Sequence, residues 1–287
     1  MPNMEEHNGF GTLYVVATPI GNLDDITLRA VKILNSADLI AAEDTRHSKK
    51  LLAHLNIHAK LISCHEHNET HKSPRFIQHL KDGKNIALIS DAGTPCISDP
   101  GYALVSQAAK QGIHIIPVPG CSAAIAGLSA SGLPTDSFYF AGFLPRKKQQ
   151  LQHAIQKLSK QTATLIIYES PRRIISLIEL LIDIMGDRSA CLAREITKLH
   201  EEFIRGPLSL IQKTLEEKTS VKGECSLFIQ GSLMTLTIDD SQLEQILIER
   251  IATWKTGTSA LARHVSDEFN LPRKTVYEMI LTLSSKI

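Results

Sequence analysis

The sequence is low in aromatic residues and in net charge, and it lacks long apolar runs. Aromatic residues make up 5% of its 287 residues, and 31 Lys and Arg nearly balance 30 Asp and Glu, for a formal charge of +1. No global field therefore recruits nucleic acid or a membrane surface. No apolar run approaches the roughly 18 residues of a membrane-spanning helix, and the opening MPNMEEHNGF lacks the apolar core of a signal peptide. We therefore predict a folded, cytoplasmic protein without membrane association.

The cysteines lack the pattern of a disulfide framework or a zinc site. They are five in number, far apart and never spaced as C-x-x-C. This usage is typical of reduced thiols in the cytosol. We therefore predict that the cysteines are small core residues and that no metal is bound. The five are Cys64, Cys96, Cys121, Cys191 and Cys225.

Short β-branched runs alternate with amphipathic segments between residues 11 and 133. This alternation is typical of a parallel sheet covered by helices. The first ten residues are predicted to be disordered. The predicted strands are TLYVVA, DLIAA, LISC, NIALIS and HIIPV, with a helix after each of the first four.

A domain boundary is predicted at SASGLPTDS, residues 129–137, because this stretch is small, polar and turn-forming. A second α/β domain then covers 134–231, and the cleft between two such domains is a common ligand site. Its predicted strands are FYFAG, ATLIIYE, ACLARE and ECSLFIQG, with helices near 147–159, 171–185 and 207–217.

Residues 242–287 lack strand signals and predict three helices. The segments SALARHVSDEF and PRKTVYEMILTL are separated by Asn270-Leu271, with Pro272 at the first position of the later helix. Two short helices with a tight turn resemble a helix-turn-helix. Two roles stay open, a helical appendage packed on the body or a contact with nucleic acid.

Three turns of mainly small residues, 18–23, 91–95 and 119–123, follow predicted strands of the first domain. Doubly wound folds bind ligands at such carboxyl ends of strands. Neither G-x-G-x-x-G nor a P-loop motif is present, which argues against NAD and P-loop nucleotides. Small loops without cationic phosphate ligands favour a compact zwitterion bearing a sulfonium. Each turn taken alone is also explained as an ordinary turn.

Charged segments follow two neighbouring predicted strands, at 43–46 and 64–71. The later segment is rich in His but is not H-E-x-x-H, so we interpret it as a substrate-contacting loop rather than a metal site. For Asp44 a helix N-cap is the simpler alternative. Residues 141–160 contain five basic residues and no acid. Two interpretations stay open, a solvated surface or a rim that attracts a phosphate backbone.

Several motifs together resemble a known family. In order they are VVATPIGNLDDITLRA, AAEDTR, SCHEHNE, LISDAGTPCISDPG, PVPGCSAA, FAGFLPR, YESPRR and LAREITKLHEE. Over about residues 11–231 they closely resemble the bacterial ribosomal RNA small subunit methyltransferase I family of the tetrapyrrole methylase superfamily. The resemblance implies two α/β domains of tetrapyrrole-methylase type with a cofactor cleft between them, followed by the small helical domain.

The activity that this resemblance implies is methyl transfer from S-adenosylmethionine to the ribose 2′-hydroxyl of a cytidine in small-subunit (16S) ribosomal RNA, near the decoding centre. The implied partners are that RNA or the 30S subunit, and the implied assembly is a homodimer. Two alternatives stay open: a methyltransferase of the same superfamily that acts on a tetrapyrrole or protein side chain, and a non-catalytic RNA-binding or ribosome-assembly protein.

The resemblance also assigns cofactor contacts to the three turns and to strands of the second domain. Where other members carry Gly-Asp-Pro, this chain has Gly93-Thr94-Pro95, and Asp91 is expected to compensate for the missing acid. The implied contacts are Pro19, Ile20, Gly21, Asp91, Ala92, Gly93, Thr94, Ile97, Ser122, Ala123, Tyr168, Glu169, Arg194 and Ile196.

For catalysis we predict Asp44, His65 and Glu66 as candidates to accept the hydroxyl proton, with Arg46 as a positioning residue. No metal is required, and alignment of the reactants without a base is the alternative. The predicted RNA contacts are Arg146, Lys147, Lys148 and Arg172.

Overall fold

A computed structural model describes residues 9–66, 68–232, 240–254, 257–269 and 271–284. The disorder predicted for residues 1–8 and the predicted turn residue Asn270 lie outside this range. Phe10, at the start of the described chain, packs against the core of the first sheet.

The first sheet consists of β1 (Leu13–Val16), β2 (Leu39–Ala42), β3 (Leu61–Ser63), β4 (Ile86–Ile89) and β5 (Ile115–Val118). All five strands are parallel, in the order β3-β2-β4-β1-β5, which confirms the predicted parallel sheet. Strands β2 and β4 are apolar and buried throughout, as expected where helices cover both faces. The carboxyl ends of all five strands lie at one edge.

An α-helix follows each of these five strands in the chain: α1 (Leu28–Ser36), α2 (Thr45–His54), α3 (Glu69–Lys81), α4 (Tyr102–Lys110) and α5 (Ala123–Ser131). Side-chain caps start two of them, since Thr27 Oγ1 accepts the Ala30 N–H at 3.1 Å and Asp44 Oδ1 accepts the Arg46 N–H at 2.8 Å. Helix α5 was not predicted, because its AAIAGLSAS sequence consists mostly of small residues and has no amphipathic stripe.

The second sheet consists of β6 (Phe138–Phe143), β7 (Thr164–Glu169), β8 (Ser189–Arg194), β9 (Glu202–Pro207) and β10 (Cys225–Ile229). Its order is β6-β7-β10-β8-β9. Only β6 and β7 are parallel, and the other neighbours pair antiparallel. Strand β9 was not predicted, because it is a half-exposed edge strand that ends in Gly-Pro. The three predicted helices are α6 (Lys148–Leu158), α7 (Ile174–Met185) and α8 (Leu208–Glu216).

Helix α5 joins the two sheets. It follows β5 in the chain, yet Ala124 and Leu128 pack on Phe228 and Cys191 of the second sheet. A Cβ built on Gly127 would lie 2.3 Å from Phe228 Cζ, so only glycine permits this approach. Helix α5 thus precedes the predicted domain boundary at 133 in the sequence but packs on the second sheet. The division at 133 stays a prediction.

The C-terminal region contains α9 (Asp240–Thr253), α10 (Thr258–Phe269) and α11 (Arg273–Ser284). The three predicted helices are thereby confirmed. They enclose a core of their own that includes Leu247, Val265 and Ile280. Within the described residues, no helix is long and apolar enough to cross a membrane.

The contact between Gly127 and Phe228 predicts a large cost for Gly127→Val. Phe228 is fully buried, so the added side chain overpacks the core between the sheets. We expect the free energy of unfolding, measured by urea titration, to fall by about 2–3 kcal/mol. Ala126→Val places the same side chain at an exposed position of α5 and should cost about 0.5 kcal/mol. Equal costs for the two variants would contradict the packing argument.

Candidate active site

A cavity of about 350 Å³, here called the inter-sheet cleft, lies between the two sheets. One wall comes from the turns after β1, β4 and β5, and the other from the ends of β6, β7 and β8 and the start of β10. Its volume is in the range of small-molecule sites. The predicted ligand cleft is therefore present at the carboxyl edge of the first sheet.

The turns after β1 and β4 are bonded to each other. Thr18 and Gly93 exchange both backbone hydrogen bonds, with N···O distances of 2.8 and 3.0 Å. The buried Thr18 hydroxyl donates to the Ser90 carbonyl at 3.1 Å. Gly93 has a φ of +82°, a conformation that favours glycine. This pairing fixes Ile20 and Gly93 in the wall of the cleft.

The turn after β5 is held against the same wall. Thr94 Oγ1 donates to the Cys121 carbonyl at 3.1 Å. Ser122, at the N-cap position of α5, makes no side-chain capping bond, and it lines the cleft beside Ala123. The first-turn N–H groups of a helix suit a ligand carboxylate.

Tyr168 and Glu169, at the end of β7, form the opposite wall. The Tyr168 ring packs edge-on against Phe140 and Phe143, with centroids 5.0 and 5.7 Å away. Burial raises the pKa of Tyr168. Glu169 is only 3% exposed. Its Oε1 accepts the adjacent backbone N–H of Ser170 at 2.7 Å, and its Oε2 lies at an ion-pair distance of 3.3 Å from Arg173 Nη2.

The segment after β8 connects the first turn to the second sheet. Glu195 and Thr197 have positive φ values of 51° and 66°, which are costly for residues with side chains. Hydrogen bonds offset this cost: Glu195 Oε1 accepts the Glu224 N–H at 2.9 Å, and Thr197 Oγ1 accepts the Asn22 N–H at 3.0 Å. Ile196, between the strained residues, lines the cleft.

Most of the implied cofactor contacts come together in the cleft, whereas four lie outside its lining. Pro19 and Gly21 flank the lining residue of the first turn, Asp91 Oδ1 accepts the Asp44 N–H at 3.1 Å, and Arg194 pairs with β9 at 2.9 Å. Cofactor binding by all these residues stays a prediction. Those that line the cleft are Ile20, Ala92, Gly93, Thr94, Ile97, Ser122, Ala123, Tyr168, Glu169 and Ile196.

The four predicted catalytic residues follow β2 and β3 and do not belong to the lining. Asp44 caps α2, and its Oδ2 accepts a hydrogen bond from Arg46 Nη2 at 2.8 Å, which holds the pKa of Asp44 well below its usual range. His65 Nε2 lies 2.6 Å from Asn68 Nδ2, and Glu66 is exposed. Their loops share the sheet edge with the cleft, and their catalytic roles stay predictions.

The structure leaves the cysteines as free thiols. Three are buried as predicted, and the other two, Cys96 and Cys121, are half-buried. Within the described ranges, no group of three His, Cys, Asp or Glu side chains is arranged to hold a metal ion.

Asp99, an acid that lines the cleft, was not among the predicted site residues. The available signal was the second Asp of LISDAGTPCISDPG, just before α4. Burial, together with the nearby Glu43 and Asp91 carboxylates, raises its pKa to about 6, and a hydrogen bond from Ser90 opposes the shift. Other lining residues that were missed are Ser98, Phe143, Ser170, Pro171 and 223–226.

The predicted RNA contacts lie on the loops after β6 and β7 and at the first residue of α6, at one end of the cleft. Arg173 Nη2 donates to the Pro145 carbonyl at 3.3 Å and so holds the two loops together. Phe143 and Pro171, from the same loops, line the cleft. All four predicted contacts are exposed, and together they are called the basic rim: Arg146, Lys147, Lys148 and Arg172.

The lining fits the S-adenosylmethionine that the motif resemblance implies. It carries the carboxyl groups of Asp99, Glu169 and Glu224, and none of the described lining residues is Lys, Arg or His. Such a surface suits a cationic sulfonium and a ligand amino group, whereas a polyphosphate would meet no cation.

Asp99→Asn is expected to stabilise the protein in a pH-dependent way. The pKa of the Asp99 carboxyl is about 6 in the folded protein against a usual value of 3.8. Ionisation of Asp99 therefore lowers the free energy of unfolding progressively between about pH 4 and pH 6, and this loss is complete above pH 6. The neutral amide removes this penalty. The gain in free energy of unfolding over the unsubstituted protein should be near zero at pH 4 and approach about 2–3 kcal/mol at pH 8. A gain that is equal at both pH values would contradict the assignment.

Comparison with known proteins places this architecture in a family. Residues 12–212 match the family model described as Tetrapyrrole (Corrin/Porphyrin) Methylases. The chain is 43% identical over 279 residues to a protein of Halalkalibacterium halodurans, covering 96% of each, and 44% identical over 278 residues to one of Synechocystis, covering 96% of this chain and 99% of the relative. Both relatives are named "Ribosomal RNA small subunit methyltransferase I".

Solved structures of low sequence identity share the fold. Uroporphyrin-III-C-methyltransferase from Thermus thermophilus aligns with a TM-score of 0.55 at 21% identity, over 77% of this chain and 94% of its own. Diphthine synthase aligns with a TM-score of 0.59 at 15% identity, over 78% of this chain and 92% of its own. From the family match and the close relatives, the chain belongs to the tetrapyrrole methylase family.

Proposed function

We propose that the protein transfers a methyl group from S-adenosylmethionine to the ribose 2′-hydroxyl of a cytidine in small-subunit (16S) ribosomal RNA, near the decoding centre. The observation that carries this proposal is similarity at 43% identity over 96% of both chains to a relative named as a small-subunit ribosomal RNA methyltransferase. The choice of ribose and cytidine rests on the motif resemblance set out above. The inter-sheet cleft supplies the cofactor site of the proposal.

S-adenosylmethionine, when bound, supplies an electrophilic methyl group on a sulfonium. The protein's part is to hold the ribose oxygen in line with the carbon–sulfur bond and to accept its proton. Small residues such as Gly93 and Ala123 leave room for the cofactor, and the Asp99 and Glu169 carboxylates compensate its positive charge. The Tyr168 ring, packed against Phe140, forms part of the opposite wall.

Two surfaces beside the cleft support RNA as the acceptor. The basic rim lies at the ends of β6 and β7 and suits phosphate groups. Its three residues after β6 belong to a stretch without acids, from 141 to 160. The loops after β2 and β3, with Asp44, Arg46, His65 and Glu66, lie at the carboxyl edge of the first sheet. We assign them to the positioning of the substrate nucleotide.

A cytoplasmic homodimer is part of the proposal. Phe138 and Tyr139 of edge strand β6 are 44% and 46% exposed, and Ile125 of α5 is 51% exposed. Exposed aromatic side chains on an edge strand are typical of a surface that another chain covers. Light scattering should give twice the monomer mass of 31.6 kDa.

The test of the proposed function is incubation with radiolabelled S-adenosylmethionine and 30S subunits, followed by mapping of the incorporated methyl group. We expect a ribose 2′-O-methylcytidine near the decoding centre. Cofactor binding without label in RNA would contradict the proposal and favour a small-molecule or protein acceptor. RNA binding without cofactor binding would favour a non-catalytic assembly protein.

The basic rim predicts a salt-dependent loss of RNA affinity in the double variant Lys147→Ala/Lys148→Ala. Loss of two phosphate contacts should weaken binding to 30S subunits about tenfold and reduce the salt slope by about 2. Calorimetry should show unchanged cofactor affinity, since neither lysine lines the cleft. The control Lys32→Ala/Lys213→Ala removes two exposed lysines from α1 and α8 and should bind as the unsubstituted protein does. Equal losses in both pairs would remove the rim from recognition.

A further inference from the structure

The chain around α2 is basic although the protein as a whole is nearly neutral. Residues 45–65 contain four Lys or Arg and four His, but no Asp or Glu. Over all 287 residues, acids and bases balance to a formal charge of +1. The segment therefore carries a local positive field that the overall charge conceals.

The helical fold places the basic side chains of α2 on its outer face. Ser48, Leu51 and Leu52 are buried, and Leu52 belongs to the same core cluster as Ile40 of β2. The opposite face is exposed, and spacings of three and four residues bring its basic side chains together. We call this surface the α2 stripe; its members are Arg46, His47, Lys49, Lys50 and His54.

The α2 stripe keeps positive charge that no acid cancels. Arg46 pairs with Asp44 at 2.8 Å. Across the described ranges of the chain, Lys49 and Lys50 form no salt bridge, and neither does the exposed Lys60 just before β3. A polyanion that approaches α2 therefore meets ammonium groups without competing carboxylates.

Helix stability does not account for these charges. Acids stabilise the first turn of a helix and cations stabilise the last turn, through the helix dipole. Beyond the Asp44 cap, the first turn of α2 contains Arg46 and His47 and no acid. Because these cations lie where they oppose the dipole, they indicate a binding role rather than a folding role.

The α2 stripe begins beside the inter-sheet cleft. The Asp44 N–H, directly before α2, donates to Asp91 Oδ1 at 3.1 Å, and Ala92 and Gly93 of the same turn line the cleft. From there α2 runs back towards the amino edge of the first sheet, over about 15 Å for its 10 residues. The stripe adjoins the wall formed by the first sheet, whereas the basic rim adjoins the wall formed by β6 and β7.

We propose that the α2 stripe is a second binding surface for the phosphate backbone of the substrate RNA, on the side of the cleft opposite the basic rim; this inference rests on the proposed function. Phosphate groups recur at every nucleotide, so two separate cationic surfaces hold one RNA at two points. Lys49 and Lys50 act as point charges on phosphate oxygens. The stripe adds affinity and fixes the position of the RNA without reading its bases.

The test uses the full chain with the double variant Lys49→Ala/Lys50→Ala. Alanine favours helix, so α2 is retained. The matched control is Lys81→Ala/Lys84→Ala, which removes two exposed lysines from the end of α3 and the turn before β4, in the same domain. For each protein we measure the Kd for 30S subunits over a salt series, the Kd for S-adenosylmethionine by calorimetry, and methyl incorporation. A thermal melt establishes that each variant is folded.

We expect Lys49→Ala/Lys50→Ala to weaken binding to 30S subunits about tenfold at low salt and to reduce the salt slope by about 1.5–2. Cofactor affinity should be unchanged, because neither lysine lines the cleft. The control should bind 30S subunits as the unsubstituted protein does. Combination with Lys147→Ala/Lys148→Ala should multiply the two losses to about 100-fold, since distant contacts with one RNA are independent.

Two results would overturn the role of the α2 stripe. One is a 30S affinity and salt slope in Lys49→Ala/Lys50→Ala equal to those of the control. The other is unchanged 30S binding together with lost binding to vesicles of phosphatidylcholine and phosphatidylserine, which would reassign the stripe to a membrane surface.

Failure of the proposed function gives a different result. If the unsubstituted protein binds the cofactor and 30S subunits but leaves no methyl group in the RNA, the proposed function is overturned. A stripe-dependent 30S affinity in that case still supports the α2 stripe as an RNA-binding surface. Methylated RNA with a stripe-independent affinity overturns the stripe alone.

Discussion

The close approach of α5 to the second sheet is the constraint on which the cleft depends. Gly127 leaves no room for a side chain against Phe228, so the helix lies directly on β8 and β10. Since α5 begins at the turn after β5, the same contact draws the carboxyl edge of the first sheet towards Tyr168. A cavity between two sheets is thus a consequence of a helix built from small residues.

The walls of the cleft give it a consistent electrostatic character. Turns of small residues meet aromatic side chains from β6 and β7, and the charged groups that remain in the lining are carboxyl groups. Low polarity makes a carboxylate there a strong partner for a cation, and it also raises the pKa of Asp99. Outside the cleft, the charge of the basic rim has the opposite sign. Under the proposed function, this arrangement separates the cofactor site from the surface that contacts the phosphate backbone of the RNA.

Much of the architecture could be predicted from sequence, because continuous apolar runs define β1 to β5 and amphipathic segments define most helices. Helix α5 and edge strand β9 could not, since one lacks a polar face and the other is short and half-exposed. In the site, the small-residue turns pointed to the sheet edge at which the inter-sheet cleft lies. Which acids reach the cleft depends on where their side chains point, so Asp44 proved to be a helix cap, whereas Asp99 is one of the acids that line the cleft.

The most direct test of the account is a crystal structure of the protein with S-adenosylmethionine. We expect the cofactor in the inter-sheet cleft, with its carboxylate near the first turn of α5. Cofactor bound at any other surface, with the cleft between Gly93 and Tyr168 left empty, would contradict the account.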